Sequence, residues 1–293
     1  MSDDAPTPAE MIERLRQLLD VETLDTDLFR GMRQPGGRGR VFGGQVVAQA
    51  LMAASRTVDP AKIAHSLHAN FMRPGDEAVP IEYRVDRDYE GRSFATRRIV
   101  ALQNGLPILT MTASFQVLEG GLEHQDVMPD VTPPEELTGD HEVYRAQAAL
   151  LPERLAGFLT RPRAIEQRSV IRRDLLAPEV LLPVFHSWFR AVAPVGDDPA
   201  MHRAILTYAS DMALLGTSTL PHGVNWFTNR LQTASLDHSV WLHEEFRVDD
   251  WLLYTMDSPW AGHGRGFNRG RIFSRDGRLV ASTAQEGLIR LRA

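Results

Sequence analysis

Cysteine is absent from the 293-residue chain, which removes disulfides, thiolate metal ligation and a cysteine nucleophile at once. A disulfide-stapled secreted module is excluded, whereas a cytoplasmic enzyme is compatible. Long apolar runs are missing too: nothing approaches the ~20 consecutive apolar residues of a membrane-crossing helix. Residues 1–8 are acidic and lack the basic start and apolar stretch of a secretory leader. At the other end, Leu291-Arg292-Ala293 is not a Ser-Lys-Leu peroxisomal address. Positive charge is in short supply, with 32 Lys and Arg against 38 Asp and Glu and a formal charge of −6. General binding of nucleic acid or an anionic membrane needs a surplus of the other sign. The expectation is a soluble cytoplasmic protein with no nucleic-acid partner and no membrane insertion.

What is present begins with Phe42-Gly43-Gly44-Gln45-Val46-Val47-Ala48-Gln49-Ala50-Leu51-Met52-Ala53-Ala54-Ser55-Arg56. After two glycines come strong helix formers with small apolar side chains on nearly every face, and a helix apolar all round must be enclosed. β-type runs follow at residues 63–72, 79–87, 92–103 and 106–118, with no room for helices between them. Asn104-Gly105 between the last two signals a two-residue hairpin turn. An antiparallel sheet curled around one central helix, the hot-dog arrangement, satisfies both observations. Upstream, Thr7-Pro8-Ala9-Glu10 starts a first helix running to about residue 20, with Met11, Leu15, Leu18 and Leu19 on its apolar face. Two short strands, at residues 21–24 and 28–32, precede a basic glycine-rich loop, Gln34-Pro35-Gly36-Gly37-Arg38-Gly39-Arg40. Its arginines beside helix-start amides suit a phosphate, but an ordinary connector explains them equally, and the Lys-[Ser/Thr] of a P-loop is missing.

The last quarter of the chain repeats the first half. His65-Ser66 recurs as His238-Ser239, Gly91-Arg92-Ser93-Phe94 as Gly264-Arg265-Gly266-Phe267, and Arg98-Ile99 as Arg271-Ile272, each pair 173 residues apart. Asn104-Gly105 recurs as Asp276-Gly277 at an offset of 172. A near-constant offset across four features points to a duplicated unit. We expect an α+β double hot-dog: residues 1–120 as the N-terminal repeat, 121–162 as a connector with short helices, and 163–293 as the C-terminal repeat carrying the catalytic set. The connector is marked by Met128-Pro129, Thr132-Pro133-Pro134 and Pro152 and is expected to hold a helix over residues 143–151. Strands resume at residues 164–173 and 186–192, and Asp198-Pro199 opens a helix through about residue 214.

Three polar side chains in the second repeat are awkward for packing alone. Asp211 lies in Tyr208-Ala209-Ser210-Asp211-Met212-Ala213-Leu214-Leu215, where a buried carboxylate must be paired or hydrogen-bonded. Ser235 precedes the strand-like Asp237-His238-Ser239-Val240-Trp241-Leu242-His243, and Gln285 ends the strand-like run over residues 280–286. An acid, a hydroxyl and an amide are the parts that hold and polarise one water. The bland alternatives are a helix-end cap for Asp211 and a turn residue for Ser235. His65, by period two, shares the apolar face of its strand with Ile63, Leu67, Ala69 and Phe71; a hydrogen-bonded core histidine is the commoner reading there. His65 and His68 face opposite ways and cannot chelate one metal. Gly262-His263-Gly264-Arg265-Gly266 leads into a strand, so it is no dinucleotide fingerprint. The five tryptophans, at 188, 226, 241, 251 and 260, suit a core or an interface better than a cofactor box.

The chain resembles the acyl-CoA thioesterase II family. The resemblance rests on residues 41–51, His65-Ser66-Leu67-His68, residues 71–76 and 111–116, Tyr208-Ala209-Ser210-Asp211, residues 236–241 and 251–254, Arg265-Gly266-Phe267 and residues 280–287, in order over nearly the whole chain. It implies a double hot-dog fold, hydrolysis of acyl-CoA to fatty acid and CoA without metal or cofactor, and a tetramer or other homo-oligomer. It also implies a catalytic set of Asp211, Ser235 and Gln285, with Ser235 standing where bacterial members carry threonine. The hydroxyl is kept, but the methyl that restricts its rotamer is lost. Gly43 and Gly44 at the helix start suit a substrate site, donating backbone N–H groups to the thioester carbonyl, and His65 is a further substrate-binding candidate.

The expected mechanism is general-base catalysis: Asp211 activates a water held by Ser235 and Gln285. Ser235 lacks the Gly-x-Ser-x-Gly elbow of a serine nucleophile. Two rivals remain at the sequence level. A hot-dog hydratase or dehydratase needs an Asp and His pair, whose usual Gly-Asp-x-Asn-Pro-x-His block is absent. A non-catalytic acyl-CoA-binding protein would bind without releasing thiol.

Overall fold

The N-terminal cap forms as its residue types require. Helix α1 (Pro8–Leu19) opens with the Thr7 hydroxyl accepting the Glu10 N–H while the Glu10 carboxylate accepts the Thr7 N–H. Its buried side is Ile12, Leu15 and Leu19, so the face is turned toward Ile12 from the expected Met11 and Leu18, which are half-buried. The structure, a computed structural model, describes residues 5–34, 37, 39–225 and 231–291. Pro35, Gly36 and Arg38 of the basic loop, Trp226, and Arg292 and Ala293 at the C-terminus lie outside them.

Strands β1 (Val21–Asp25) and β2 (Leu28–Gly31) precede helix α2 (Gly43–Ser55). Every residue of α2 from Gly44 to Ala54 is buried, and its two amides, Gln45 and Gln49, are satisfied there by the Met32 and Leu18 carbonyl oxygens. Around it curl β3 (Lys62–Phe71), β4 (Ile81–Glu90), β5 (Phe94–Gln103) and β6 (Leu106–Val117). The turn between β5 and β6 is Asn104-Gly105, with φ of 50° and 74°, the double left-handed conformation that Asn-Gly tolerates.

The connector carries α3 (Asp140–Ala146) and α4 (Glu153–Leu159), with a short 3-10 turn between them over Ala148–Leu150. The helical stretch expected over 143–151 is thus the end of α3 and this 3-10 turn, and Pro152 stands at the N-cap of α4. Strands β7 (Ile165–Ser169) and β8 (Val184–Ala191) follow, then α5 (Pro199–Ser210). Asp198 caps α5 by accepting the Ala200 N–H. The helix stops at Ser210 rather than near 214, Asp211 being its C-cap, and a 3-10 helix spans Leu214–His222. The chain ends with β9 (Leu231–Ser235), β10 (Asp237–Leu242), β11 (Leu252–Gly262), β12 (Arg265–Ser274) and β13 (Leu279–Leu291).

All strands belong to one antiparallel sheet in the order β1-β2-β4-β5-β6-β3-β10-β13-β12-β11-β8-β7, with β9 also paired to β13. The two halves are joined at β3–β10, where Leu67 lies opposite Val240 and Ala69 opposite His238. Across that seam His68 Nδ1 and Ser239 Oγ are 3.1 Å apart. The sheet wraps α2 and α5, which pack on each other. Their contact is close enough that a Cβ on Gly44 would lie 2.5 Å from the Tyr208 carbonyl oxygen. This is the α+β double hot-dog architecture.

Candidate active site

Three elements of the second half converge on one carboxylate. Asp211 sits at the C-cap of α5, Ser235 at the last residue of β9, and Gln285 within β13. The strand runs six residues past Gln285, which therefore lies inside it and not at its end. The Gln285 side chain is fully buried. Its Nε2 donates to Asp211 Oδ1 at 2.5 Å and to Ser235 Oγ at 3.2 Å, and Ser235 Oγ donates to the same Oδ1 at 3.4 Å. The amide orientation follows from charge, because a flipped Gln285 would aim its carbonyl oxygen at the carboxylate. Gln285 Oε1 is buried and receives no hydrogen bond from the described residues.

The second oxygen of Asp211 faces the other half of the molecule. A Cβ built on Gly43 would lie 2.8 Å from Asp211 Oδ2 and 2.9 Å from the Phe71 ring. Gly43 is the first residue of α2, whose N-cap, Phe42, provides no side-chain cap. The leading N–H groups of a helix have no intrahelical acceptor and carry the positive end of its dipole. A carboxylate oxygen thus stands beside an uncapped helix start, with only hydrogen on the intervening Cα.

Two family models match the chain: "Acyl-CoA thioesterase" over residues 160–288 and "Acyl-CoA thioesterase N-terminal domain" over residues 32–116. Acyl-CoA thioesterase 2 of Haemophilus influenzae is 39% identical over 282 residues, covering 96% of this chain and 99% of its own length. The chain belongs to the acyl-CoA thioesterase family. The crystal structure of the Mycobacterium marinum acyl-CoA thioesterase II is 40% identical and superposes with a TM-score of 0.77, over 96% of this chain and 98% of its own. A hot-dog protein from Alicyclobacillus acidocaldarius, at 21% identity and a TM-score of 0.74 over 94% and 98% of the two chains, agrees in fold.

This thioesterase brings His65 elsewhere. His65 Nε2 lies 2.9 Å from Ser114 Oγ and its ring meets Phe94 edge-on, and none of these belongs to the Asp211 cluster. Nor does the period-two face hold. A bulge in the β3–β6 register between Ala64 and Ser66 buries both of those residues and leaves Ile63 and His65 half-buried. Burial pushes the His65 pKa down. Gly44 abuts Tyr208 and Phe42, so its missing side chain also serves helix packing.

Two further neighbours of the site lie within the family-like blocks of the sequence, without a role assigned to them there. Tyr208, packed edge-on against Phe42 at 5.0 Å, has its hydroxyl pKa pushed up by burial; Arg163 opposes the rise and Asp211 adds to it. His238, fully buried on β10, sits 3.2 Å through Nδ1 from Gln285 Nε2. Its recurrence with His65 is a second signal, but a repeat marks a position and not its contacts.

A cavity of about 1000 Å³ reaches Met212 and Ala213, the two residues after Asp211. The connector supplies Leu151, Phe158 and Leu159, and the second half adds Leu181, Phe185 and Leu220. Arg163 and Arg173 also line it.

Proposed function

We propose that this thioesterase hydrolyses acyl-CoA by direct attack of a water on the thioester carbonyl, with Asp211 as general base and Ser235 and Gln285 holding the water. The observation that carries the reading is the convergence of Ser235 Oγ and Gln285 Nε2 on one oxygen of Asp211, at 3.4 and 2.5 Å. The other oxygen accepts no hydrogen bond from the described residues, so it has a lone pair for the water's proton. As the water attacks, negative charge grows on the carbonyl oxygen. The Gly43 and Gly44 N–H groups at the start of α2 are donors suited to it, and they need no reorganisation. The carbon–sulfur bond then breaks, the proton held by Asp211 passes to the leaving CoA sulfur, and acid and free CoA are released. No acyl-enzyme is required. A serine nucleophile activated by histidine is disfavoured, because the nitrogens of His238 engage Gln285 and Ser210 and not Ser235.

The acyl chain is assigned to the apolar part of the cavity beyond Met212, under α4. Residues 1–120 and 163–293 are assigned to the two repeats and 121–162 to the connector, supported by the 173-residue offset between matching motifs. The same reading takes the enzyme as cytoplasmic and self-associating, up to a tetramer, because β1 and β7 end the sheet order and sheet edges invite pairing. Light scattering in solution checks this against the 32.8 kDa of one chain.

The test is free-CoA release from short, medium and long acyl-CoAs, followed with a thiol reagent to which the cysteine-free chain contributes no background. Asp211→Asn should lower kcat by about 10²-fold or more, the usual worth of a general base. Unchanged release would move the base elsewhere, and an acylated Ser235 peptide would overturn the water mechanism.

A further inference from the structure

His238 is fully buried and stands next to the proposed catalytic set without touching the place where substrate reacts. Its two ring nitrogens have different partners, and those partners determine its proton. Ser210 Oγ donates its only proton to the Thr207 carbonyl oxygen at 2.8 Å. Toward His238 Nε2, 2.8 Å away, it must accept, so Nε2 carries the hydrogen. Nδ1 is then a bare lone pair, and it faces Gln285 Nε2 at 3.2 Å, where it accepts. The opposite tautomer would put two N–H groups against each other at Gln285, or flip the amide and turn its oxygen on Asp211. With Asp211 Oδ1 and Ser235 Oγ, 3.4 Å apart, sharing one of the two Gln285 amide hydrogens, the other is left for His238 Nδ1.

The backbone enforces this contact. β9 pairs with β13 so that Ser235 faces Gly287 and Ala234 faces Leu288, whereas β10 pairs so that Ser239 faces Ala284. Between these pairs four positions are gained along β9–β10 against three along β13, so one extra residue lies at Leu236–Asp237. That bulge breaks the period of two and turns Ser235 and His238, three apart, to the same side of the sheet. Continuing the β10 register by one residue sets His238 opposite Gln285.

We propose that His238 is a positioning residue for thioester hydrolysis: held as the Nε2–H tautomer by Ser210, its Nδ1 orients the Gln285 amide with the N–H edge on Asp211 and Ser235. Its carbonyl oxygen is thereby aimed away from the carboxylate. The inference rests on the water mechanism above, in which Gln285 is a working part. Tyr254 steadies the same network from behind, its hydroxyl donating to the Ser210 carbonyl oxygen at 3.0 Å and lying 2.8 Å from Thr283 Oγ1.

Two amide substitutions separate the functions of the two nitrogens. In His238→Asn the shorter side chain can place an oxygen near the former Nδ1, keeping the acceptor for Gln285 and losing the donor to Ser210. In His238→Gln the longer chain can keep the donor to Ser210 and lose that acceptor. We expect His238→Gln to lower kcat about ten- to a hundred-fold with little change in KM, the scale on which misplaced catalytic groups lose rate. His238→Asn should retain kcat within about three-fold of wild type. In a Gln285→Ala background, His238→Gln should add less than about two-fold, because a residue acting through another has nothing left to orient. Equal losses in both single variants, or full additivity with Gln285→Ala, would overturn the proposal. Should either variant fail to fold, ¹⁵N NMR of the wild-type imidazole decides: protonated Nε2 with bare Nδ1 supports it, and the reverse overturns it. Full activity in Gln285→Ala would instead sink the water mechanism, an outcome the tautomer measurement leaves distinguishable.

Discussion

Gly43 shows how much of this site depends on an atom that is not there. Any side chain at that position would meet Asp211 Oδ2 at 2.8 Å and Phe71 at 2.9 Å, both closer than a real Cβ contact. Gly43→Ala should therefore push Asp211 off its line. We expect kcat/KM to fall about ten- to a hundred-fold, with some loss of thermal stability because the methyl also presses on Phe71, which packs against the core. Activity within two-fold of wild type would separate Gly43 from the reaction. Ser235 carries a milder prediction. Ser235→Thr restores a β-branch that narrows the χ1 choices, so it should match or exceed wild-type kcat, while Ser235→Ala should lose activity. Steady-state kinetics on one acyl-CoA compares all three.

At the scale of elements, the connector is more than a tether. Leu151, Leu155 and Leu159 form a buried cluster of their own, joined by Tyr144 and Leu175, and this holds α4 over the cavity. If the acyl chain enters there, its length is limited by that roof. Leu159→Trp should shift the preferred substrate toward shorter chains, raising KM for long acyl-CoAs several-fold while leaving short ones unaffected. A uniform change across the panel would place the chain elsewhere. The two halves show a second asymmetry. Arg97 on β5 is fully buried and ties Thr57, the Tyr89 carbonyl oxygen and Glu90 together. Its counterpart at the 173-residue offset is Gly270. There a Cβ would collide with the Tyr254 ring, so the glycine leaves room for the tyrosine that bonds Ser210. One half uses the position for packing and the other for the network behind the site.

For the whole molecule, buried histidines make stability depend on pH. Burial pushes the pKa values of His65, His186, His238 and His243 down. At His238 the charges of Asp211 and Asp237 oppose that shift without reversing it. Below the ordinary imidazole value of about 6.5 the unfolded chain binds protons that the folded chain refuses. The stability tied to these neutral rings is thus complete above that value and is lost as pH falls toward the folded-state pKa values. Urea midpoints should be lower at about pH 5.5 than at about pH 7.5, and His238→Asn should make the drop shallower. A midpoint that rises on acidification, with His238→Asn leaving the slope unchanged, would contradict the sign.

Much of this protein is legible in the chain by itself, because local chemistry decides it. The all-round apolar character of residues 44–54 dictates a buried helix, Asn104-Gly105 dictates the hairpin, and the 173-residue offset between matching motifs announces the duplication. Asp211 stands out as a carboxylate in an apolar run, while Ser235 and Gln285 are joined to it by the resemblance to a family. What the sequence does not set is their meeting. Residues 211, 235 and 285 come together only because α5 ends at Ser210, because β9 and β10 both pair with β13, and because one extra residue at Leu236–Asp237 breaks the period of two. The same bulge brings in His238, which alternation places on the face opposite Ser235. The approach of Gly43 to Asp211 likewise depends on two helices more than 140 residues apart packing on each other. Periodicity describes how a segment faces its own neighbours; register, bulges and helix contacts are settled between segments, and there the tertiary structure alone decides.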